Sequence, residues 1–198
     1  MKKIFDKIFL NTSNQNYINL EIKKISQENS VKKIFKAINS FSNISEVRYV
    51  GGFVRNIIEK KNIEDIDLAT NLNPVEVCNT LEINGINYHR TGISHGTVTA
   101  TIDDKKFEIT SLRKDLITDG RHAKVQFSGD WKEDALRRDF TINSIYADKE
   151  GNLFDPFNGK TDLENGQIKF IGEPEKRIEE DYLRILRYIR FFLNYSQE

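Results

Sequence analysis

The chain has 198 residues, with 30 Lys and Arg balanced by 30 Asp and Glu, and this length fits one domain or one domain plus the start of a second. Its 38% hydrophobic and 11% aromatic residues exclude a disordered chain, and its zero net charge excludes a surface that is basic throughout. No apolar run approaches the roughly 20 residues of a membrane span, and the single cysteine excludes an internal disulfide and predicts a reducing cytoplasm.

The N-terminal region is predicted to form an arm followed by a helix. Residues 1–27 are polar and weakly patterned, so we expect a loosely attached arm; Asp6 and Lys7 interrupt its apolar part and argue against a signal peptide. Ser30 is a candidate cap for a helix over VKKIFKAINSF. One face of that helix would carry Val31, Ile34, Phe35 and Ile38.

The middle of the chain alternates strands and helices. A strand at 46–50 is predicted to run into Gly51-Gly52 and a short helix that ends near Lys60. IEDIDLAT follows as a strand, and Asn73-Pro74 opens the next helix with Asn73 as its cap. Further strands are predicted at 86–90, 95–102 and 106–112.

The last part of the chain combines a polar segment with helices. Residues 113–130 are polar and contain two glycines, which predicts a mobile loop. A helix from Trp131 to about Arg138, a strand in SIYAD and one long helix from Glu175 follow. Because strands first alternate with helices and then cluster, the fold class is predicted to be α/β or α+β, with one mixed sheet.

Three carboxylates are candidates for a metal-dependent reaction. Asp65 and Asp67 are two residues apart in a predicted strand and therefore share one face. Glu108 faces away from Phe107 and Ile109 and can lie beside the pair as a third carboxylate. Hard cations held by carboxylates serve phosphoryl transfer. A DxD pattern alone is weak evidence, since a solvated strand edge explains most of its occurrences.

A glycine pair provides the context for these carboxylates. Gly51 and Gly52 lie between a predicted strand and helix, and Arg55 follows in the first turn. Glycines let the backbone approach phosphates, while helix N–H groups and an arginine attract anions. An ordinary strand-to-helix turn is the alternative. GGFVR followed by DID thirteen residues after Gly52 is nevertheless a specific arrangement.

Five ordered motifs resemble one family from about residue 45 onwards. YVGGFVRNIIEKKNIEDIDLAT is similar to the first motif of the class II tRNA nucleotidyltransferase and bacterial poly(A) polymerase family, within the polymerase-β-like nucleotidyltransferases. TGISHGTVT and FEITSLR resemble its next strands, RRDFTINS its ribose-recognition motif, DPFNG its hinge motif, and EEDYLRILRYIRF its nucleotide-reading helix. Asn56 departs from the pattern, because the family usually has Asp after GGxVR.

The resemblance implies an enzyme that extends RNA 3′ ends. The expected domains are an arm at 1–27, a nucleotidyltransferase head with a mixed sheet and flanking helices at 28–160, and the start of an all-α neck at 161–198. The expected reaction is attack of an RNA 3′-hydroxyl on the α-phosphate of CTP or ATP, with Mg²⁺ as cofactor and Asp65 and Asp67 as its ligands. CCA addition to tRNA is the first interpretation. Poly(A) polymerase and an inactive or partner-dependent RNA-binding module are the alternatives.

The nucleotide-reading helix is expected to select the base. Asp181 and Arg184 are neighbours at i and i+3, and a carboxylate beside a guanidinium matches the amino and ring-nitrogen edge of C and A but not of G or U. A surface ion pair is the alternative, and residues 133–137 repeat the same EDxLR spacing. The resemblance selects the later copy. Arg187 and Arg190 continue the spiral and can contact base or phosphate.

The RRDFTINS motif is expected to read the sugar. Asp139 can accept a hydrogen bond from a ribose 2′-hydroxyl, Arg138 can contact the triphosphate, and Asn143 can orient either group. A cluster of paired charges at a helix N-terminus is the alternative. His95 lies near the site by resemblance but receives no role.

The C-terminal end leads to an expectation about partners. The chain stops at Glu198, soon after an apolar face with Leu186, Ile189, Phe191 and Phe192. We expect this face to be exposed and the chain to form a homodimer or to need a second chain that supplies a helical body. A fragment of a longer protein would have the same features.

Overall fold

The computed structural model describes residues 2–63, 65–119 and 122–196. Its helices are α1 (Lys2–Ser26), α2 (Asn29–Asn39), α3 (Gly52–Ile58), α4 (Pro74–Ile83), α5 (Trp131–Arg137), α6 (Gly159–Glu164), α7 (Pro174–Glu180) and α8 (Leu183–Tyr195). Its strands are β1 (Val47–Val50), β2 (Ile66–Thr70), β3 (Asn87–Gly92), β4 (Thr97–Ile102), β5 (Lys105–Ser111), β6 (Arg113–Asp119), β7 (His122–Phe127), β8 (Tyr146–Ala147) and β9 (Leu153–Phe154). Short 3-10 turns lie at Ile93–His95 and Thr141–Asn143.

Seven of the strands form one mixed sheet in the order β3-β4-β5-β2-β1-β8-β9. β2 pairs in parallel with β5 and antiparallel with β1, and the other neighbours are antiparallel. The predicted class, α/β or α+β with a mixed sheet and flanking helices, is confirmed. The parallel pair places Asp67 directly opposite Glu108.

The two faces of the sheet carry different cores. Alternate residues along β1 and β2 divide between them: Tyr49 and Leu68 belong to the main core, whereas Val50 and Ala69 belong to a smaller one. Side chains from α1, α2, α3 and α4 fill the main core, and Ala135 of α5 covers the smaller one. By alternation, Asp67 shares the less covered face with Ala69.

Local sequence signals identify α2 and α4 correctly. All four predicted apolar residues of α2 are buried. Asn73 caps α4 as predicted: its Oδ1 accepts from the backbone N of Val75 and Glu76, each at 3.0 Å, while Glu76 Oε2 accepts from Asn73 N at 2.8 Å. Ser30, however, is not the cap of α2, because the helix begins at Asn29 and its N-cap residue is Glu28, two residues before the predicted cap.

The N-terminal segment is helical rather than a loosely attached arm. Ile18 and Ile22 of α1 are fully buried in the main core, and the hydroxyls of Ser26 and Tyr49 form a hydrogen bond of 2.8 Å. The prediction is therefore wrong for residues 14–26, in which Ile18 and Ile22 are core residues although Leu20 is exposed. The side chains of residues 2–13 lie outside the described part.

Residues 113–119 and 122–127 form two paired strands rather than a loop. β6 and β7 pair from Arg113 opposite Phe127 to Asp119 opposite His122, with a shift in register between Asp115 and Ile117. Backbone pairing builds this ribbon although its sequence is largely polar, which is why apolar patterning did not reveal it. Gly120 and Arg121, which the predicted loop also included, lie outside the described residues.

The predicted C-terminal helix is two helices separated at Asp181. Asp181 has an extended backbone (φ −159°, ψ 104°), and its Oδ1 accepts from Leu183 N at 3.0 Å, at the start of α8. Such a side-chain bond competes with continuation of a helix.

The apolar residues of α8 divide between core and surface. Phe191 is buried, contrary to prediction, and Phe192 is half-buried. Leu186 and Ile189 are exposed as expected, at 65% and 49%. Within the described chain, no helix has the length and apolarity needed to cross a membrane.

Candidate active site

A cleft of about 690 Å³ lies between the sheet and the C-terminal helices and gathers most of the predicted site residues. The predicted residues that line it are Gly51, Gly52, Arg55, Asp67, Arg138, Asp139, Asn143, Asp181, Arg184, Arg187 and Arg190. It does not include Asp65 or Glu108. The lining also contains residues that the sequence analysis did not assign: His95, Arg113, Asp115, Arg137, Glu180, Leu183 and Phe191.

The three predicted carboxylates lie at one end of the parallel strand pair. Asp67 faces the cleft, and Glu108 is its exposed neighbour across β2 and β5. Asp65 is exposed and directly precedes β2, where it lines a separate groove with Lys24 and Lys105. Burial raises the pKa of Asp67, and repulsion from Glu108 and Asp65 raises it further, against the smaller opposing effects of Arg138 and Arg55.

The chemistry of this cluster fits a divalent cation. Among the described residues, no group of three His, Cys, Asp or Glu side chains is arranged to hold a metal ion. Asp67 and Glu108 still offer hard oxygen ligands, and a cation would relieve their mutual repulsion. Mg²⁺ is commonly bound by one or two carboxylates together with phosphate oxygens.

The glycine pair brings backbone next to the Asp67 carboxylate. Gly51 has φ +64°, a conformation that side chains disfavour. A Cβ added to Gly52 would meet Asp67 Oδ2 and an Arg55 nitrogen, both at 3.6 Å. The turn before α3 is therefore part of the wall of the cleft beside the carboxylate.

A chain of polar contacts connects α3 with α8 across the RRDFTINS segment. Arg55 Nη1 donates to Asn143 Oδ1, and Asn143 Nδ2 donates to Asp139 Oδ1 at 2.9 Å. Arg187 donates to Asp139 Oδ2 through Nε at 2.7 Å and lies within 2.6 Å through Nη2. Burial opposes ionisation of Asp139, but Arg187 and the hydrogen bonds from Asn143 and Phe140 N outweigh it and lower the pKa. In this structure Arg187 therefore binds the predicted sugar-reading carboxylate.

The earlier EDxLR copy forms a closed ionic network. Asp134 is 1% exposed, and its Oδ1 accepts from Arg137 Nε at 2.8 Å. Its Oδ2 accepts from Arg138 Nη2 at 3.0 Å and from the Tyr146 hydroxyl at 2.7 Å. Burial raises the pKa of Asp134, but Arg138, Arg137 and Tyr146 together lower it to about 2. Asp134 Oδ1 also accepts from the backbone N of Arg113 at 3.2 Å, so both oxygens of this carboxylate are occupied by donors within the chain.

The later copy is arranged differently from the prediction. Asp181 and Arg184 are not side-chain partners on one continuous helix, because the helix breaks at Asp181. Arg184 is buried and donates through Nη1 to Glu180 Oε2 and to the backbone O of Arg177, both at 2.6 Å. Both residues line the cleft, so their predicted role as base readers stays a prediction.

Arg177 is a residue near the site that the sequence analysis missed. It donates through Nη2 to the backbone O of Arg137 at 2.6 Å and of Arg138 at 2.7 Å. No spacing rule marks it, because its partners are carbonyl groups 39 and 40 residues away. Arg113, by contrast, ends the quoted FEITSLR motif and donates to the backbone O of His95, so attention to that motif could have found it.

The chain is similar to proteins of one known family. The model described as "Poly A polymerase head domain" matches residues 47–169. The chain is 48% identical over 148 residues to "CCA tRNA nucleotidyltransferase 1, mitochondrial" of Homo sapiens, which covers 74% of this chain and 34% of that protein. It is 38% identical over 148 residues to the "CCA-adding enzyme" of Listeria innocua, with coverage of 74% and 37%.

Solved structures agree with these similarities. The crystal structure of the Bacillus stearothermophilus CCA-adding enzyme in complex with CTP superimposes with a TM-score of 0.73 and 32% identity, covering 82% of this chain and 38% of that one. A tRNA nucleotidyltransferase complexed with a primer tRNA and an incoming ATP analog gives 0.61 and 27% identity, covering 88% and 46%. The chain thus spans less than half the length of these relatives.

Proposed function

The chain belongs to the family of the poly(A) polymerase head domain, whose members are metal-dependent nucleotidyltransferases, and from this premise we propose that it transfers nucleotides from CTP and ATP to an RNA 3′ end. CCA addition to tRNA is the proposed reaction. The observation that carries the proposal is the single cleft that brings Asp67 together with the predicted sugar and base readers.

The charges of the cleft suit a nucleoside triphosphate. Arg55, Arg138 and Arg190 line it beside the Gly51-Gly52 turn. Guanidinium groups bind phosphate oxygens strongly and with defined geometry. The relative from Bacillus stearothermophilus was crystallised with CTP, which supports the same class of ligand here.

Asp65 and Asp67 are the residues that would hold Mg²⁺, with Glu108 as a third carboxylate opposite Asp67. A bound divalent cation supplies polarisation of phosphate oxygens and charge neutralisation. The chain's own contribution is to hold Asp67 and Glu108 in register on adjacent strands and to keep Gly51 and Gly52 close to Asp67.

The sugar and base would be read at the opposite wall. Asp139 would be the acceptor for a ribose 2′-hydroxyl. Its Oδ1 already accepts from Asn143 and Phe140 N and its Oδ2 from Arg187, so Arg187 would have to share or release that oxygen for the hydroxyl to bind. Asp181 can accept from the amino group of C or A while Arg184 donates to the ring nitrogen. Arg184 would have to share or release Glu180 to do so, because that carboxylate binds it in this structure.

The test is nucleotide addition to tRNA that lacks its 3′ end, with each labelled NTP supplied alone and in combination. Addition of C, C and A supports the proposal. Addition of many A nucleotides from ATP alone would support poly(A) polymerase. This activity is the second candidate, because it is the one in the family's description. Absence of any addition, with no NTP binding, would contradict both.

Carboxylate variants test the metal site. We expect Asp65→Ala and Asp67→Ala each to reduce turnover by about a hundredfold or more, and Glu108→Ala to reduce it less. Glu82→Ala, at an exposed position of α4, is the matched control and should be unaffected. If both Asp variants kept near wild-type turnover at matched folding, the metal-site assignment would be wrong.

Additional protein against α8 is also proposed. Leu183, Leu186, Ile189 and Leu193 are exposed by 48% to 77%, which supports a homodimer or a second chain at this helix. Sedimentation of the purified chain tests the dimer, and a monomer that adds CCA completely would contradict the need for any partner. The cytoplasmic location stays a prediction, since the human relative is named as mitochondrial.

A further inference from the structure

We propose that Arg177 is a positioning residue that keeps the sugar-binding segment and the base-reading side chain of the cleft in register. This inference rests on the proposed function. Arg177 belongs to α7, and its side chain is only 13% exposed. It lines a neighbouring groove and not the main cleft, so it would act through other residues rather than on the nucleotide.

One side of Arg177 holds the end of α5. Its Nη2 donates to the backbone O of Arg137 and Arg138, at 2.6 and 2.7 Å. Carbonyl groups at a helix C-terminus have no partner within the helix, so an external donor fixes them. These two carbonyls come immediately before Asp139, the proposed acceptor for the ribose hydroxyl.

The other side of Arg177 fixes Arg184. Arg177 Nη1 donates to Glu180 Oε2 at 2.5 Å, and the same oxygen accepts from Arg184 Nη1 at 2.6 Å. Arg184 Nη1 also donates to the backbone O of Arg177 at 2.6 Å. The Arg177 side chain thus shares with Arg184 the Glu180 carboxylate that fixes the Arg184 guanidinium, whereas the carbonyl that Arg184 also binds belongs to the Arg177 backbone and is kept in every variant at this position.

The shape of the guanidinium explains why arginine suits this position. Its planar fork directs separate N–H groups to the two carbonyls and to Glu180 at once, whereas a lysine ammonium is a compact charge on a flexible stem. Burial, and then the neighbouring Arg184, lowers the pKa of Arg177, while Glu180 partly offsets this effect. Loss of the guanidinium should therefore let the positions of Asp139 and Arg184 vary relative to each other, while Asp67 and Glu108 stay in place.

The experiment compares Arg177→Lys and Arg177→Ala with Lys176→Ala. Lys176 lies on the same helix, is 70% exposed and pairs only at the surface with Glu173, at 2.8 Å. Binding of CTP, ATP, UTP and GTP in the presence of Mg²⁺ is measured by calorimetry, and single-nucleotide addition gives kcat and KM. Circular dichroism and thermal unfolding establish that the variants are folded.

We expect Arg177→Lys to lower the preference for CTP over UTP about tenfold through a higher KM for CTP, with kcat within about threefold of wild type. Lys176→Ala should change neither value. Equal losses for correct and incorrect nucleotides, or unchanged selectivity in folded variants, would overturn the inference alone. If the unchanged chain bound neither CTP nor ATP, the proposed function and this inference would both fall. Should Arg177→Ala fail to fold, Arg177→Lys still decides the question.

Discussion

The EDxLR spacing occurs twice, at 133–137 and at 180–184, and the two copies have different surroundings. In the first copy the helix is continuous, and the buried Asp134 accepts from two arginines and a tyrosine. In the second copy the helix breaks at the aspartate, and the arginine binds the preceding glutamate instead.

The difference shows that side-chain spacing does not define a binding site. A carboxylate whose oxygens already accept from several donors has little capacity left for a ligand. Asp181, whose hydrogen bond within the described chain is with Leu183 N, keeps that capacity and lines the cleft. The first copy is therefore expected to stabilise the fold and the second to select the nucleotide.

The largest expected difference is in stability. Asp134→Ala should lower the free energy of unfolding by about 3–5 kcal/mol, because it leaves Arg137 and Arg138 without their buried partner. Asp181→Ala should lower it by only about 1 kcal/mol, the usual effect of losing a helix-start hydrogen bond. Urea denaturation of both variants measures this. Equal losses of unfolding free energy in the two variants would contradict the stabilising role assigned to the first copy alone.

The second expected difference is in nucleotide choice. Asp181→Ala or Arg184→Ala should reduce selectivity for CTP and ATP over UTP and GTP by about tenfold to a hundredfold, because a charged hydrogen bond to the base is lost. The folded fraction of Asp134→Asn should keep wild-type selectivity. Single-nucleotide addition with each NTP is the measurement, and control of base choice by the earlier copy would reverse the assignment.

The dependence of stability on pH should reveal the contribution of Asp134 in the first copy. The pKa of Asp134 is about 2 in the folded chain against an ordinary 3.8, so its stabilisation is complete above about pH 4 and is lost as pH falls toward 2. The loss attributable to this group should be about 2 kcal/mol. Unfolding free energies at pH 5 and pH 2.5 measure it. The unfolding free energy of Asp134→Asn should decrease less than that of the wild type over the same pH range. An equal decrease would show that Asp134 is not the group responsible.

The smallest expected difference concerns the glutamates. Glu180→Gln should reduce base selectivity about threefold, because Arg184 loses a charged partner that is itself 32% exposed. Glu133→Gln should leave nucleotide choice unchanged, since Glu133 binds Ser128 and Lys114 outside the cleft. The same addition assay compares them, and a larger effect from Glu133 would count against the role of the later copy.

The sequence by itself determined the features that depend on local periodicity. The two-residue period of strands predicted that Glu108 faces away from Phe107 and Ile109, and in the structure Glu108 is exposed while both neighbours are buried. The apolar face of α2 and the cap at Asn73 also follow from neighbours within a few residues. The ordered motifs identified the family without any knowledge of the fold.

Only the tertiary structure decided the features that depend on distant partners. The burial of Ile18 and Ile22 depends on the packing of α1 against α2 and α3, and the pairing of β6 with β7 depends on backbone groups that carry no side-chain pattern. The pairing of Arg187 with Asp139 joins residues 48 apart in sequence. The sequence contains many oppositely charged side chains that could pair with a given ionic group. The packing of the chain brings only some of them within bonding distance.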